Sequence, residues 1–205
     1  MKIYRTFFLV LSALFFLAMQ SDQESPLVNI AEFDSKFSYD VRYATDDNFL
    51  EQTVYDCVQC LLIPEVAEAL VEANNYFCEL GYMIQLYDCY RPLSVQKKMW
   101  EIYPNPGYVG NPYGSGSIHN RGAAIDMTIV KLDGTPLDMG SDYDFFGKEA
   151  HIDHPHSDTI TANRKQLWSV MKKFGFSPIR TEWWHFNYDA KNYGLKVLDI
   201  DFDCE

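Results

Sequence analysis

The sequence predicts one α+β domain, with helices packed on a small, mostly antiparallel sheet. Three observations predict it. Helical periodicity is confined to three separate stretches, short apolar or β-branched runs bounded by Gly and Pro fall between them, and no linker or repeat divides the chain. In residues 37–43, Phe37, Tyr39, Val41 and Tyr43 alternate with Ser38, Asp40 and Arg42, which is the period of a half-buried strand. Residues 44–49 then read as a loop. Pro64 opens a helix at its first turn, and Val66, Ala67, Leu70, Ala73 and Phe77 recur at helical spacing until Gly81 stops it.

Residues 83–88, apolar and bounded by Gly81 and Pro92, predict a strand that delivers Tyr90, Arg91 and Pro92 to its end. A second helix follows over residues 93–102. Residues 103–117 turn to Pro, Gly, Asn, Tyr and Ser and read as a loop. Residues 123–130 predict a strand carrying β-branched Ile125, Thr128 and Ile129. After a turn at Gly134, Thr135 and Pro136, a third helix is predicted over residues 161–174. It has Leu167, Val170, Met171 and Phe174 on one face and Gly175 past its end. Residues 176–188 supply one or two final strands.

The formal net charge of −12, from 17 Lys and Arg against 29 Asp and Glu, repels phosphate backbones. With no basic stripe, nucleic acid is excluded as a partner. Hydrophobic residues at 47% are enough for a packed core and argue against disorder. Residues 1–20 read as a secretory signal, because Lys2 and Arg5 precede an apolar run from Phe7 to Met19 and mostly polar residues follow. The run is shorter than the roughly 20 residues a spanning helix needs. Cleavage between Ala18 and Ser21 is therefore expected, although no Ala-x-Ala site marks it and an uncleaved anchor is the alternative. The remaining domain, residues 21–205, is expected to be exported, to the periplasm, without stable membrane association.

Export exposes Cys57, Cys60, Cys78, Cys89 and Cys204 to an oxidising compartment, where disulfides among them are expected. The odd number leaves one thiol free or shared between chains. Cys57-x-x-Cys60 lacks the second pair that would complete a four-ligand zinc knuckle, so it reads as structural.

Chemistry concentrates in two segments. In Ser117-Ile118-His119-Asn120-Arg121-Gly122-Ala123-Ala124-Ile125-Asp126, a His at a loop end and a carboxylate seven residues later can reach one ion if Gly122 turns the chain tightly. In Glu182-Trp183-Trp184-His185, a carboxylate and an imidazole stand three residues apart. Positions three apart in a regular strand face opposite ways, so the backbone has to bend there or the strand has to end. Two His and one Asp with a fourth position open to water is the ligand set of a catalytic zinc site, and it leaves Glu182 free as a base.

With these segments in view, the chain resembles the D-alanyl-D-alanine dipeptidases, the VanX-type branch of metallopeptidases sharing Ser-x-His-x6-Asp and Glu-x-x-His motifs. The resemblance extends through Tyr43-Ala44-Thr45 with Asn48-Phe49, Asp88-Cys89-Tyr90-Arg91-Pro92, Met139-Gly140 and Tyr143-Asp144. It implies one zinc ion per chain held by His119, Asp126 and His185, Glu182 as general base and acid, and Arg91 as the group that stabilises the oxyanion. It also implies a dipeptide pocket lined by Ser117, Tyr43 and Asp144, with Asp144 opposite the substrate's ammonium. The substrate implied is D-alanyl-D-alanine or a similar short cell-wall peptide. The alternatives are a carboxypeptidase acting on longer murein peptides and a non-catalytic wall-binding module.

Two further clusters carry potential chemistry. His151, His154 and His156 could hold a second metal, but Pro155 disrupts any regular element that would steady them, so a polar loop is expected. Trp183 and Trp184 could form a sugar platform, yet core packing or a pocket wall is the expected use.

Overall fold

In the computed structural model residues 26–188 and 194–204 are described, so the expected leader lies outside the described residues. The first long helix, α1 (Pro64–Glu79), begins at a proline whose fixed φ suits the first turn and whose missing N–H would have had no acceptor there. Val66, Ala67, Leu70, Ala73 and Phe77 form its buried stripe, joined by the polar Asn74. Asn74 is satisfied rather than stranded: its Oδ1 accepts from the Ile84 amide at 2.8 Å and its Nδ2 donates to the Lys36 carbonyl at 2.9 Å. Those bonds fasten α1 to the sheet through side-chain chemistry as well as apolar contact.

Five strands make the main sheet. In spatial order they are β2 (Ser38–Tyr39), β4 (Tyr82–Asp88), β5 (Ala124–Lys131), β7 (Glu182–Tyr188) and β6 (Phe176–Ile179). Only β2 and β4 run parallel, so the sheet is mostly antiparallel as the sequence predicts. A separate ribbon joins β1 (Val28–Asn29) to β3 (Leu61–Leu62). The helices are completed by α2 (Leu93–Ile102) and α3 (Asp158–Lys173). Alternation along the central β5 sets Ile125, Met127 and Ile129 on the face opposite Asp126 and Thr128.

The expected strand over residues 37–43 is corrected to the two residues of β2. After it the chain tightens into a 3-10 turn at Arg42–Ala44. Local hydrogen bonds compete with the ladder: Thr45 Oγ1 donates to the Arg42 carbonyl, and Asn48 Nδ2 reaches the carbonyls of Arg42, Thr45 and Gln52. Phe37, Val41 and Tyr43 are buried while Tyr39 is 39% exposed, so the alternation was not one continuous strand face. The third helix starts earlier than its apolar pattern, at Asp158, because Ser157 caps it by accepting from the Ile160 amide.

Two disulfides form, Cys57–Cys204 and Cys60–Cys89, and Cys78 is the free thiol. Trp183 and Trp184 are 2% and 1% exposed. Trp183 donates to Ser141 Oγ and Trp184 packs edge-on against Tyr143, which makes them core residues and removes the sugar platform.

Candidate active site

Asp126 and His185 are brought together by strand register. Asp126 on β5 pairs directly with His185 on β7, and directly opposed residues of antiparallel strands project to the same side. His119 arrives from a 3-10 turn, His119–Arg121, that ends at Gly122 with φ of +64°. That left-handed residue swings the chain into β5 within a few positions of Asp126. A Cβ on Gly122 would stand 2.5 Å from Leu27 Cδ2 and 3.2 Å from the Ile63 amide nitrogen. Gly122→Ala is therefore expected to destabilise the fold by roughly 1–3 kcal/mol through backbone strain and crowding, read as a lowered urea midpoint.

His119 Nε2, His185 Nδ1 and Asp126 Oδ1 converge. The two nitrogens are 3.1 Å apart, and they lie 3.3 and 2.9 Å from the carboxylate oxygen. The outer nitrogens are already committed: His119 Nδ1 donates to the Cys89 carbonyl at 2.6 Å and His185 Nε2 donates to Asn187 Oδ1 at 2.9 Å. Neutral rings held this way turn lone pairs inward, toward an anionic oxygen. Three acceptors facing one another repel unless a cation is shared between them. Tetrahedral ligands at zinc distances of about 2.0–2.1 Å stand roughly 3.3 Å apart, close to the separations found here, so the residues present fit a divalent zinc ion. Among the described residues this is the one group of His, Cys, Asp and Glu side chains whose ligand atoms converge.

The bend or strand end anticipated at Glu182 is a break in register at the first residue of β7. Pro178 pairs with Phe186 but the next residue, Ile179, pairs with Glu182, so Trp183, Trp184 and His185 are unmatched on the β6 side. This lets two residues three apart share a site, with Glu182 Oε2 3.8 Å from His185 Nδ1. Burial pushes the Glu182 carboxyl up to about 8, with His185 opposing and Asp126 adding to the rise. A bound dication would favour the ionised form and bring it back down. Asp126 goes the other way: burial alone would raise it, but positive charge facing it, carried by protonated His119 and His185 rings or by a cation shared among the three, holds it well below the usual carboxylate range.

Arg91 leaves the end of β4 with its guanidinium clamped. Nε and Nη2 donate to Asp88 Oδ2 at 2.9 and 2.6 Å, and Nη1 donates to Gln96 Oε1 at 2.9 Å. Nη2 is 3.8 Å from Asp126 Oδ2, and the guanidinium lies over the Tyr43 ring at 5.5 Å. The fork thus sits beside the three converging atoms in a fixed orientation. Asp144, at φ of +57°, accepts from the Tyr43 hydroxyl at 2.8 Å. Burial, and then the Asp126 carboxylate, push Asp144 up to about 8. Ser117, half-buried, also lines the cleft, and its Oγ accepts from the His119 amide at 3.3 Å.

All eight residues singled out from the sequence line one cleft of about 220 Å³: Tyr43, Arg91, Ser117, His119, Asp126, Asp144, Glu182 and His185. It falls below the roughly 300–1,000 Å³ of drug-sized sites. Sequence reasoning missed the supporting residues. Asn187, which fixes the His185 ring, stands two places on along the same strand and was recoverable from period-2 spacing. Gln96 and the Tyr143 hydroxyl, which donates to Asp126 Oδ2 at 3.2 Å, carried no spacing signal. The His-rich segment stays apart, with His156 bonded to the Glu149 carbonyl and His151 facing Arg180.

A family model described as D-ala-D-ala dipeptidase, Peptidase M15, matches residues 23–202 of the chain. The D-alanyl-D-alanine dipeptidase of Escherichia coli strain K12 is 34% identical, across 87% of this chain and 92% of that protein. Its counterpart in Enterococcus faecium is 34% identical across 79% and 91%. That of Enterococcus faecalis is 35% identical across 76% and 87%.

Proposed function

The chain belongs to the D-Ala-D-Ala dipeptidase family of peptidases, and from that premise we propose that it is a zinc-dependent hydrolase of D-alanyl-D-alanine or closely similar cell-wall dipeptides. The observation that carries the reading is the convergence of His119 Nε2, Asp126 Oδ1 and His185 Nδ1 beside Glu182 in one small cleft. When bound there, zinc supplies Lewis-acid chemistry, acidifying water toward a pKa of about 7 and polarising a carbonyl.

The chain's own residues do the rest. Glu182 takes a proton from the attacking water and returns it to the departing amine nitrogen; burial favours the protonated form it holds between the two transfers. Arg91, unable to lose its charge, meets the oxygen on which negative charge develops, and Asp88 and Gln96 keep it aimed. Asp144 pairs with the ammonium of the dipeptide. The Ser117 hydroxyl contacts the far end of the substrate. Phe49, Tyr108 and Phe146 exclude water from the cleft wall.

Purified protein incubated with D-Ala-D-Ala and zinc is expected to release free D-alanine, and a chelator is expected to abolish that release. Pentapeptides should be cut far more slowly, since a chain without a nearby amino terminus leaves Asp144 unpaired. Equal rates on both would favour a carboxypeptidase. A protein that binds wall fragments but releases nothing would be a binding module.

A pH dependence follows from Asp144. Its carboxyl, pushed up to about 8, must ionise to pair with an ammonium. KM is therefore expected to fall as pH rises from about 6 to 8, where the substrate amine in turn begins to lose its proton. Asp144→Asn should remove this slope and raise KM by a factor equivalent to roughly 2–5 kcal/mol, with kcat less affected. Steady-state kinetics across that range checks both.

Export belongs to the same proposal. Two disulfides in the folded domain support synthesis for an oxidising compartment. Among the described residues no helix is long and apolar enough to cross a membrane.

A further inference from the structure

The segment 194–204 lies across the two stretches that present Arg91 and His119 and bonds to both, while nearer its end the Asp203 carbonyl accepts from Gln59 Nε2. The Leu198 amide donates to the Asn120 carbonyl at 2.8 Å while the Leu198 carbonyl accepts from the Leu93 amide at 3.2 Å, so one residue bridges both stretches. Asp199 Oδ1 accepts from the Ser94 amide at 2.7 Å, supplying an acceptor in the first turn of α2 that Pro92 cannot. The Ile200 amide donates to the Tyr90 hydroxyl at 2.7 Å. Phe202 packs edge-on against Tyr55 and Tyr90, with centroids 4.8 and 6.3 Å away. Arg121 donates to the Leu195 carbonyl at 3.2 Å.

These contacts bear on three consecutive residues. The Cys89 carbonyl orients the His119 ring, Tyr90 takes the segment's Ile200 amide, and Arg91 carries the guanidinium. Tyr55, beneath Phe202, donates at 2.6 Å to Asp88, the carboxylate that aims Arg91. The segment is pinned at its far end by Cys57–Cys204.

We propose that residues 195–204 form a positioning strap for Arg91 and His119, and that the Cys57–Cys204 bond holds it in place. This rests on the dipeptidase reading for its effect on turnover, but not for its effect on metal retention. The strap acts through Tyr90 and Asn120 and touches no substrate, and its effect is a restriction of freedom. A fork or imidazole that wanders by an ångström loses much of the advantage of a preset geometry.

The test compares the parent protein, loaded with zinc, with Cys204→Ser, Tyr90→Phe and the double variant. Circular dichroism and zinc content first establish that each is folded and loaded. Both single variants are expected to lower kcat on D-Ala-D-Ala about five- to tenfold with KM within about twofold, and to speed zinc loss to a chelator several-fold. Because both changes release one strap, the double variant should be no worse than the weaker single variant by more than about twofold. Tyr90→Phe keeps the ring and removes one oxygen, so it serves if Cys204→Ser folds poorly. Unchanged kcat and unchanged zinc release in a folded variant would overturn the strap, as would fully multiplicative losses in the double variant. If the parent cleaves no dipeptide yet the variants shed zinc faster, the strap stands and the substrate assignment falls.

Discussion

Glu182→Ala is expected to keep its metal and to lose roughly 100- to 10,000-fold in turnover, the usual contribution of a positioned acid–base group. The side chain is adjacent to the three converging atoms without being one of them, since its Oε2 lies 3.8 Å from His185 Nδ1. The bonds that orient the ligands, to the Cys89 carbonyl and to Asn187, do not involve it. Zinc content should therefore stay near that of the parent while kcat collapses and KM changes little. Glu182→Gln separates chemistry from packing, because it preserves the volume and removes the base. A comparable loss in both variants points to proton transfer, whereas a Gln variant with near-normal turnover would make Glu182 a packing residue.

Arg91→Lys is expected to cost on the order of 100- to 1,000-fold in kcat, the range measured for loss of an oxyanion donor, even though the charge is conserved. A lysine offers one point of charge where Arg91 uses three nitrogens on Asp88 and Gln96. It cannot satisfy both partners and still face the cleft. Arg91→Ala adds a stability penalty of roughly 3–5 kcal/mol by leaving the buried Asp88 carboxylate unpaired. The two variants together distinguish a catalytic donor from a structural ion pair. If Lys restores stability but not turnover, the guanidinium acts on the reaction. If both variants retain turnover in proportion to their folded fraction, Arg91 only holds β4 to α2.

Much of this site was legible because the chemistry is local in the chain. The spacing from His119 to Asp126 implies a tight turn, Gly122 supplies it, and the left-handed backbone there is what only glycine adopts without strain. The Glu182 to His185 spacing likewise required either a bend or a strand end, and both occur: Glu182 opens β7, and the register with β6 shifts between Pro178 and Ile179. What sequence could not supply is register. Nothing in either segment says that Asp126 and His185 are cross-strand partners, or that the Tyr143 hydroxyl reaches Asp126 from a loop.

The misread strand at residues 37–43 has the same origin. Its alternation is real as a pattern, but Thr45 and Asn48 fold the chain back through side-chain bonds whose targets lie up to six residues away. The cysteine pairing was equally hidden. Cys89 joins Cys60 across the end of two strands, and Cys204 returns 147 residues to Cys57, neither of which spacing alone dictates.

The most direct test of the central claim is the anomalous scattering of zinc-loaded crystals, collected on either side of the zinc edge. A single strong peak bonded by His119 Nε2, Asp126 Oδ1 and His185 Nδ1 is expected. A peak elsewhere, for instance among His151, His154 and His156, with those three atoms bound to no ion, would contradict it.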